Sequence, residues 1–151
     1  MTATSQSQPG RRALLLSSDA AQRAGLERAL AGRGLEVRSC PDGESGLAAL
    51  LDDLLSLDVL VLDLRLDGRD AWSFLRLVRL AGGERELPIA VAASAPDART
   101  RARLVAAGAD AVIDASGVEG AGAVERLARR GRPARRARPW SGGGNALALA
   151  G

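Results

Sequence analysis

Three stretches of this 151-residue sequence carry side chains that could do chemistry. The apolar run Val59-Leu60-Val61-Leu62 stops at Asp63, and Asp67 and Asp70 follow within one polar turn. A carboxylate at the end of a buried strand can serve as a nucleophile or hold a cation. It can equally mark nothing more than the strand's polar exit. Asp67 and Asp70 fit loop solvation and helix capping better than metal binding. Ser17-Ser18-Asp19 follows a second apolar run, Ala13–Leu16. It has the polarity of a phosphate-binding turn before a helix. It lacks the glycines that let backbone approach a phosphate closely, so capping is the plainer role. The third stretch holds the single cysteine, Cys40, which reads as an inert, half-buried packing residue.

What the chain lacks excludes more. It has no His, Tyr or Lys, and all 21 basic residues are Arg. Without His there is no Ser-His-Asp or Cys-His pair and no His metal ligand. Without Lys there is no Schiff base and no P-loop lysine. One cysteine cannot form an internal disulfide and argues against a zinc cluster, which suits a reducing cytoplasmic setting. No apolar run approaches the roughly 20 residues of a membrane span, so no membrane contact is expected. Arg11-Arg12 before Ala13-Leu14-Leu15-Leu16 reads as the lead into a strand, not an export signal.

The basic balance belongs to one end. All 18 acids precede residue 128, alongside 15 of the Arg residues. The other six (Arg129, Arg130, Arg132, Arg135, Arg136, Arg138) cluster in ten residues, so the net charge of +3 describes an appendage. Residues 1–10 read as a disordered leader, and 131–151, rich in Arg, Pro and Gly, as a disordered tail. With Trp140 its one aromatic, the tail supports at most weak, salt-sensitive contact with nucleic acid.

Between these ends, strand and helix alternate five times. Strands are expected at Ala13–Leu16, Leu35–Ser39, Asp58–Asp63, Ile89–Ala93 and Ala111–Ile113. Helices are expected over Ala20–Ala31, from the Pro41-Asp42-Gly43 turn through Leu54, over Ala71–Leu80, from Pro96-Asp97 through Ala107, and over Val118–Arg130. In the second helix, Leu47, Leu50, Leu51 and Leu54 have the spacing of one apolar stripe. Val59–Leu62 is too continuous for a half-exposed strand and suits the centre of a parallel sheet. Aromatic residues make up only 2% of the chain, so the core must be Leu, Val and Ala. The pattern predicts one α/β domain, residues 11–130, whose site lies beyond the carboxyl ends of the strands.

In order and spacing, "ALLLSSDAAQRAGLERAL", "CPDGESGLAALL", "DVLVLDLRLDGRDAW", "LPIAVAAS" and "LVAAGADAVI" resemble the receiver domains of two-component response regulators. The resemblance implies a flavodoxin-like three-layer sandwich, a five-stranded parallel sheet of order 2-1-3-4-5 with five helices. It makes Asp63 the candidate phosphoacceptor and implies an acidic pair after the first strand to hold magnesium. Ser17 and Ser18 stand in those positions, with Asp19 one residue beyond. The expected hydroxyl at the end of the fourth strand is Ala93, beside Ser94. The expected Lys ending the fifth strand is Ala115, followed by Ser116, and the aromatic switch position is Val112. Asp67 and Ala71 replace the proline and glycine usual in the loop after the phosphoacceptor.

The chain therefore reads as a degenerate receiver, or pseudo-receiver. The resemblance implies a regulatory module of bacterial phosphorelay signalling, not an enzyme, expected to act through protein contacts with impaired or absent Asp phosphorylation. No cofactor is expected; magnesium, with Asp19 and Asp63 as candidate ligands, enters only if Asp63 is a working phosphoacceptor. The expected partner is a histidine kinase or another regulator. The family's usual contact face, from the fourth helix to the fifth, carries Arg99, Arg101, Arg103, Arg126, Arg129 and Arg130. Such a face favours an acidic partner. No separate output domain is expected in the residues that remain.

Overall fold

Five short apolar runs become the five strands of one parallel sheet: β1 (Arg11–Leu16), β2 (Leu35–Cys40), β3 (Val59–Asp63), β4 (Ile89–Ala93) and β5 (Ala111–Asp114). The computed structural model describes residues 10–66, 70–82, 87–115 and 119–130. Strand order is β2-β1-β3-β4-β5, as expected for the flavodoxin-like sandwich. The helices are α1 (Ala20–Ala31), α2 (Gly43–Asp53), α3 (Ala71–Gly82), α4 (Ala98–Ala107) and α5 (Glu119–Arg130), with a 3-10 turn at Leu54–Ser56 after α2.

Alternation along the strands sorts the core into two layers. Leu14, Leu16, Leu60, Leu62, Ile89 and Val91 face α2, α3 and α4. Ala13, Leu15, Val59, Val61, Ala90 and Ala92 face α1 and α5. Because both faces of β3 are covered, its five residues are all buried, which is why the sequence there is continuously apolar. None of the helices in the described residues is long and apolar enough to cross a membrane.

Strand ends differ from expectation where pairing decides them. β1 starts at Arg11 because Arg11 and Arg12 pair with Leu35 and Glu36. Asp58 stays outside β3, and its carboxylate accepts a 2.8 Å hydrogen bond from the Arg12 backbone N–H. Helix starts follow local chemistry. Asp19, Asp42 and Asp97 cap α1, α2 and α4, each accepting from the backbone N–H three residues on. Hydrogen bonds from Ser45 hold the Asp42 carboxyl below its usual range, and those from Thr100 do the same for Asp97.

The α2 stripe is corrected by the structure. Leu50 is buried and Leu47 half-buried, but Leu51 is 68% exposed. The residues that α2 buries are Gly43, Gly46, Ala49, Leu50 and Asp53. Gly46 sets this rotation: a Cβ there would stand 2.4 Å from Leu16 Cδ2. The helix approaches β1 through its glycines and turns Leu51 outward. Gly46→Ala must push Leu16 or the whole helix aside, and should cost about 1–3 kcal/mol in a urea melt. An unchanged midpoint would show that this close approach is not tight. Asp53, also on the buried face, accepts a 2.7 Å bond from Arg38 Nη1 on β2.

Candidate functional site

The parallel sheet delivers its strand ends to one edge. β3 lies between β1 and β4, so Asp63 emerges beside Ser17, which follows β1, and in register with Ala92. Its side chain is 1% exposed. Asp63 Oδ2 accepts a 2.8 Å hydrogen bond from the Ser17 hydroxyl and a 2.6 Å bond from Gln22 Nε2. Oδ1 accepts from the Arg65 backbone N–H at 3.0 Å. Among the described residues the carboxylate is thus received by three neutral donors: a hydroxyl, an amide and a main-chain N–H.

Ser17 is itself fully buried, and its carbonyl accepts a 2.8 Å bond from Arg23 Nη1. Ser18 points elsewhere, donating to the Pro41 carbonyl at 2.7 Å. Asp19 is exposed and spends Oδ1 on the Gln22 backbone N–H at 3.0 Å. Cap and carboxylate therefore act on different parts of the same residue. The backbone of Gln22 satisfies Asp19, while its side chain reaches Asp63.

Gln22 and Arg23 were not singled out in the sequence. The available signal was the spacing Asp19-x-x-Gln22, which is that of a capping box. In such a box the Gln side chain turns back to the cap's N–H. Here it crosses to β3, because a buried carboxylate lies within reach and needs donors more.

Ala93 is buried in register with Asp114, and the Ala115 N–H donates to the Ala93 carbonyl at 3.0 Å. Both positions present only a methyl group. Ser94 is exposed, and Ala95 after it holds φ at 39°, the one non-glycine residue with positive φ among those described. Val112 is half-buried against the core. Asp70 caps α3 through Trp72 N–H and the Ser73 hydroxyl, while Ala71 is buried behind it. Asp67 and Ser116 lie outside the described residues, as do Arg132, Arg135, Arg136 and Arg138 and residues 1–9 of the leader.

A magnesium ion calls for oxygen ligands, carboxylates foremost. The residues around Asp63 do not fit one. Ser17 is a neutral hydroxyl aimed as a donor, Gln22 presents an N–H, and Asp19 is committed to its helix. Among the described residues no three or more His, Cys, Asp or Glu side chains could hold a metal together. The geometry buries and orients one carboxylate.

The six arginines expected on the contact face each have their own surroundings. Arg103 lies 5.1 Å from the Trp72 ring centre, against α3. Arg101 donates to the Val112 carbonyl, and Arg129 pairs with Glu125 on its own helix. Arg130 lines a depression with Leu87, Pro88 and Asp110 at the amino ends of the strands. Arg99 and Arg126 are exposed. Cys40 is buried, which pushes its thiol pKa up, and its Sγ lies 3.7 Å from the Ser45 carbonyl. That is the setting of an unreactive thiol.

No protein-family model and no curated protein matches the sequence. Solved structures do. A response regulator from Chloroflexus aurantiacus J-10-fl is 26% identical, with a TM-score of 0.72 over 82% of this chain and 100% of that one. The receiver domain of NtrX from Brucella abortus is 23% identical, with a TM-score of 0.68 over 78% of this chain and 98% of that one. A response regulator receiver domain from Rhodospirillum rubrum is 24% identical, with a TM-score of 0.61 over 78% and 90%. The chain has the fold of response-regulator receiver domains.

Proposed function

We propose that this chain is a receiver-like module of two-component signalling that works through protein contacts and is not switched by ordinary phosphorylation of Asp63. The observation that carries the reading is the cradle of Asp63. A carboxylate that attacks phosphorus needs an exposed oxygen and a cation to offset the roughly two negative charges of the incoming group. Asp63 is buried, and Oδ2 is shared between Ser17 and Gln22. The positions that supply the cation ligands, the hydroxyl and the ammonium in receivers are Ser17 and Ser18, Ala93 and Ala115. A fold that retains the sheet and loses this chemistry still offers a regulator or a kinase its surface.

The test is incubation of the full chain with a small-molecule phosphodonor and magnesium, followed by intact mass. The expected spectrum shows no added phosphoryl group. A phosphoryl adduct that disappears in Asp63→Asn would overturn the proposal and make the chain a working phosphoacceptor.

A further inference from the structure

Helices α3 and α4 carry five arginines and no acid along their whole length. Arg79 is engaged within the fold, holding the Gly108 and Leu87 carbonyls and Asp110. Arg76 and Arg103 are exposed and flank an open groove of about 540 Å³ between the two helices. Its floor is Trp72 with Ala106 and Ala107, and the Arg103 guanidinium lies over the Trp72 ring. The groove is apolar below and cationic at its rim.

The complementary shape occurs on the same side of the sheet. On α2, Ala48, Leu51 and Asp52 are exposed on one stripe, with Glu44 one turn earlier. Leu51 is one of three large hydrophobic side chains exposed among the described residues. An apolar anchor beside an acid is what an apolar-floored, arginine-rimmed groove accepts. Since α2, α3 and α4 all cover one core layer, stripe and groove lie on the same side of the sheet. A single two-fold rotation can then set each copy's stripe into the other's groove, the self-complementary arrangement of a closed dimer.

We propose that this face joins two copies of the chain, with Leu51 and Asp52 of each entering the groove of Trp72, Arg76 and Arg103 on the other. The association does not depend on whether Asp63 accepts a phosphoryl group.

Sedimentation velocity of the nuclease-treated full chain over a concentration series tests it. A monomer–dimer equilibrium is expected that weakens as salt rises from about 50 to about 500 mM, where surface charges are screened. Asp52→Arg alone and Arg103→Glu alone should each raise the dissociation constant about tenfold or more. Mixed together they should associate again, because the heterodimer pairs opposite charges at both contacts. Thermal melts establish that both variants fold. A chain monomeric at every concentration overturns the proposal. So does a dimer that neither swap weakens, or one that the mixture fails to restore.

Discussion

Asp63→Ala should destabilise the protein by about 2–3 kcal/mol, because it strips the acceptor from a buried set of donors. Ser17, Gln22 and the Arg65 N–H all point at the lost carboxylate. Ser17 is fully buried, and its hydroxyl's other acceptor, the Asp19 carbonyl, lies at 3.5 Å. A small cavity adds to the penalty. The sign is what separates this site from a cluster of carboxylates. There, removing one acid relieves like-charge repulsion and stabilises the fold. Here the surroundings are donors, so the same change must destabilise. Urea melts of wild type and Asp63→Ala decide between the two. Adding Gln22→Ala isolates one bond: it should cost about 1–1.5 kcal/mol less in the Asp63→Ala background than in wild type. Stabilisation by Asp63→Ala would show that the cradle does not hold the carboxylate as described.

Much of the architecture was legible because parallel α/β folds write simple signals. A strand covered on both sides reads as an apolar run, and Val59–Leu62 did. The Ser18-Asp19 pair announced one helix through ordinary capping chemistry, and Pro96-Asp97 announced another. The α2 rotation was not legible, since leucine spacing cannot show that Gly46 presses against Leu16. The site divided along the same line. The position of Asp63 at the end of β3 followed from residue type and order. The side chains that meet it did not. Gln22 meets Asp63 across 41 residues of sequence, and nothing local to α1 distinguishes a side chain that caps its own helix from one that crosses to β3.

Arg79→Ala should cost about 2–3 kcal/mol, comparable to loss of the Asp63 cradle though far from it. In the sequence Arg79 is only a turn marker along α3. In the fold its Nε and Nη2 donate to the Gly108 carbonyl at 3.0 and 2.7 Å, and Nη1 to the Leu87 carbonyl at 2.8 Å. Nη2 also meets Asp110 Oδ2 at 2.7 Å, and that oxygen accepts from the Ile89 N–H as well. One guanidinium thus ties the end of α3 to the start of β4 and to the turn between α4 and β5. That turn passes through Gly108 at φ 122°, where a Cβ would meet Arg79 Cγ at 2.9 Å. Removing the donors leaves partly buried carbonyls unpaired, each worth about 1 kcal/mol. Arg79→Lys is the sharper variant, because charge is kept and only the planar fork is lost. A single ammonium can face one or two of these acceptors, not all of them, so Lys should recover less than half of the loss. Full recovery in chemical denaturation would mean that charge alone holds the turn. A chain whose basic residues are all Arg can use the guanidinium as a branched structural tie, as Arg79 does here.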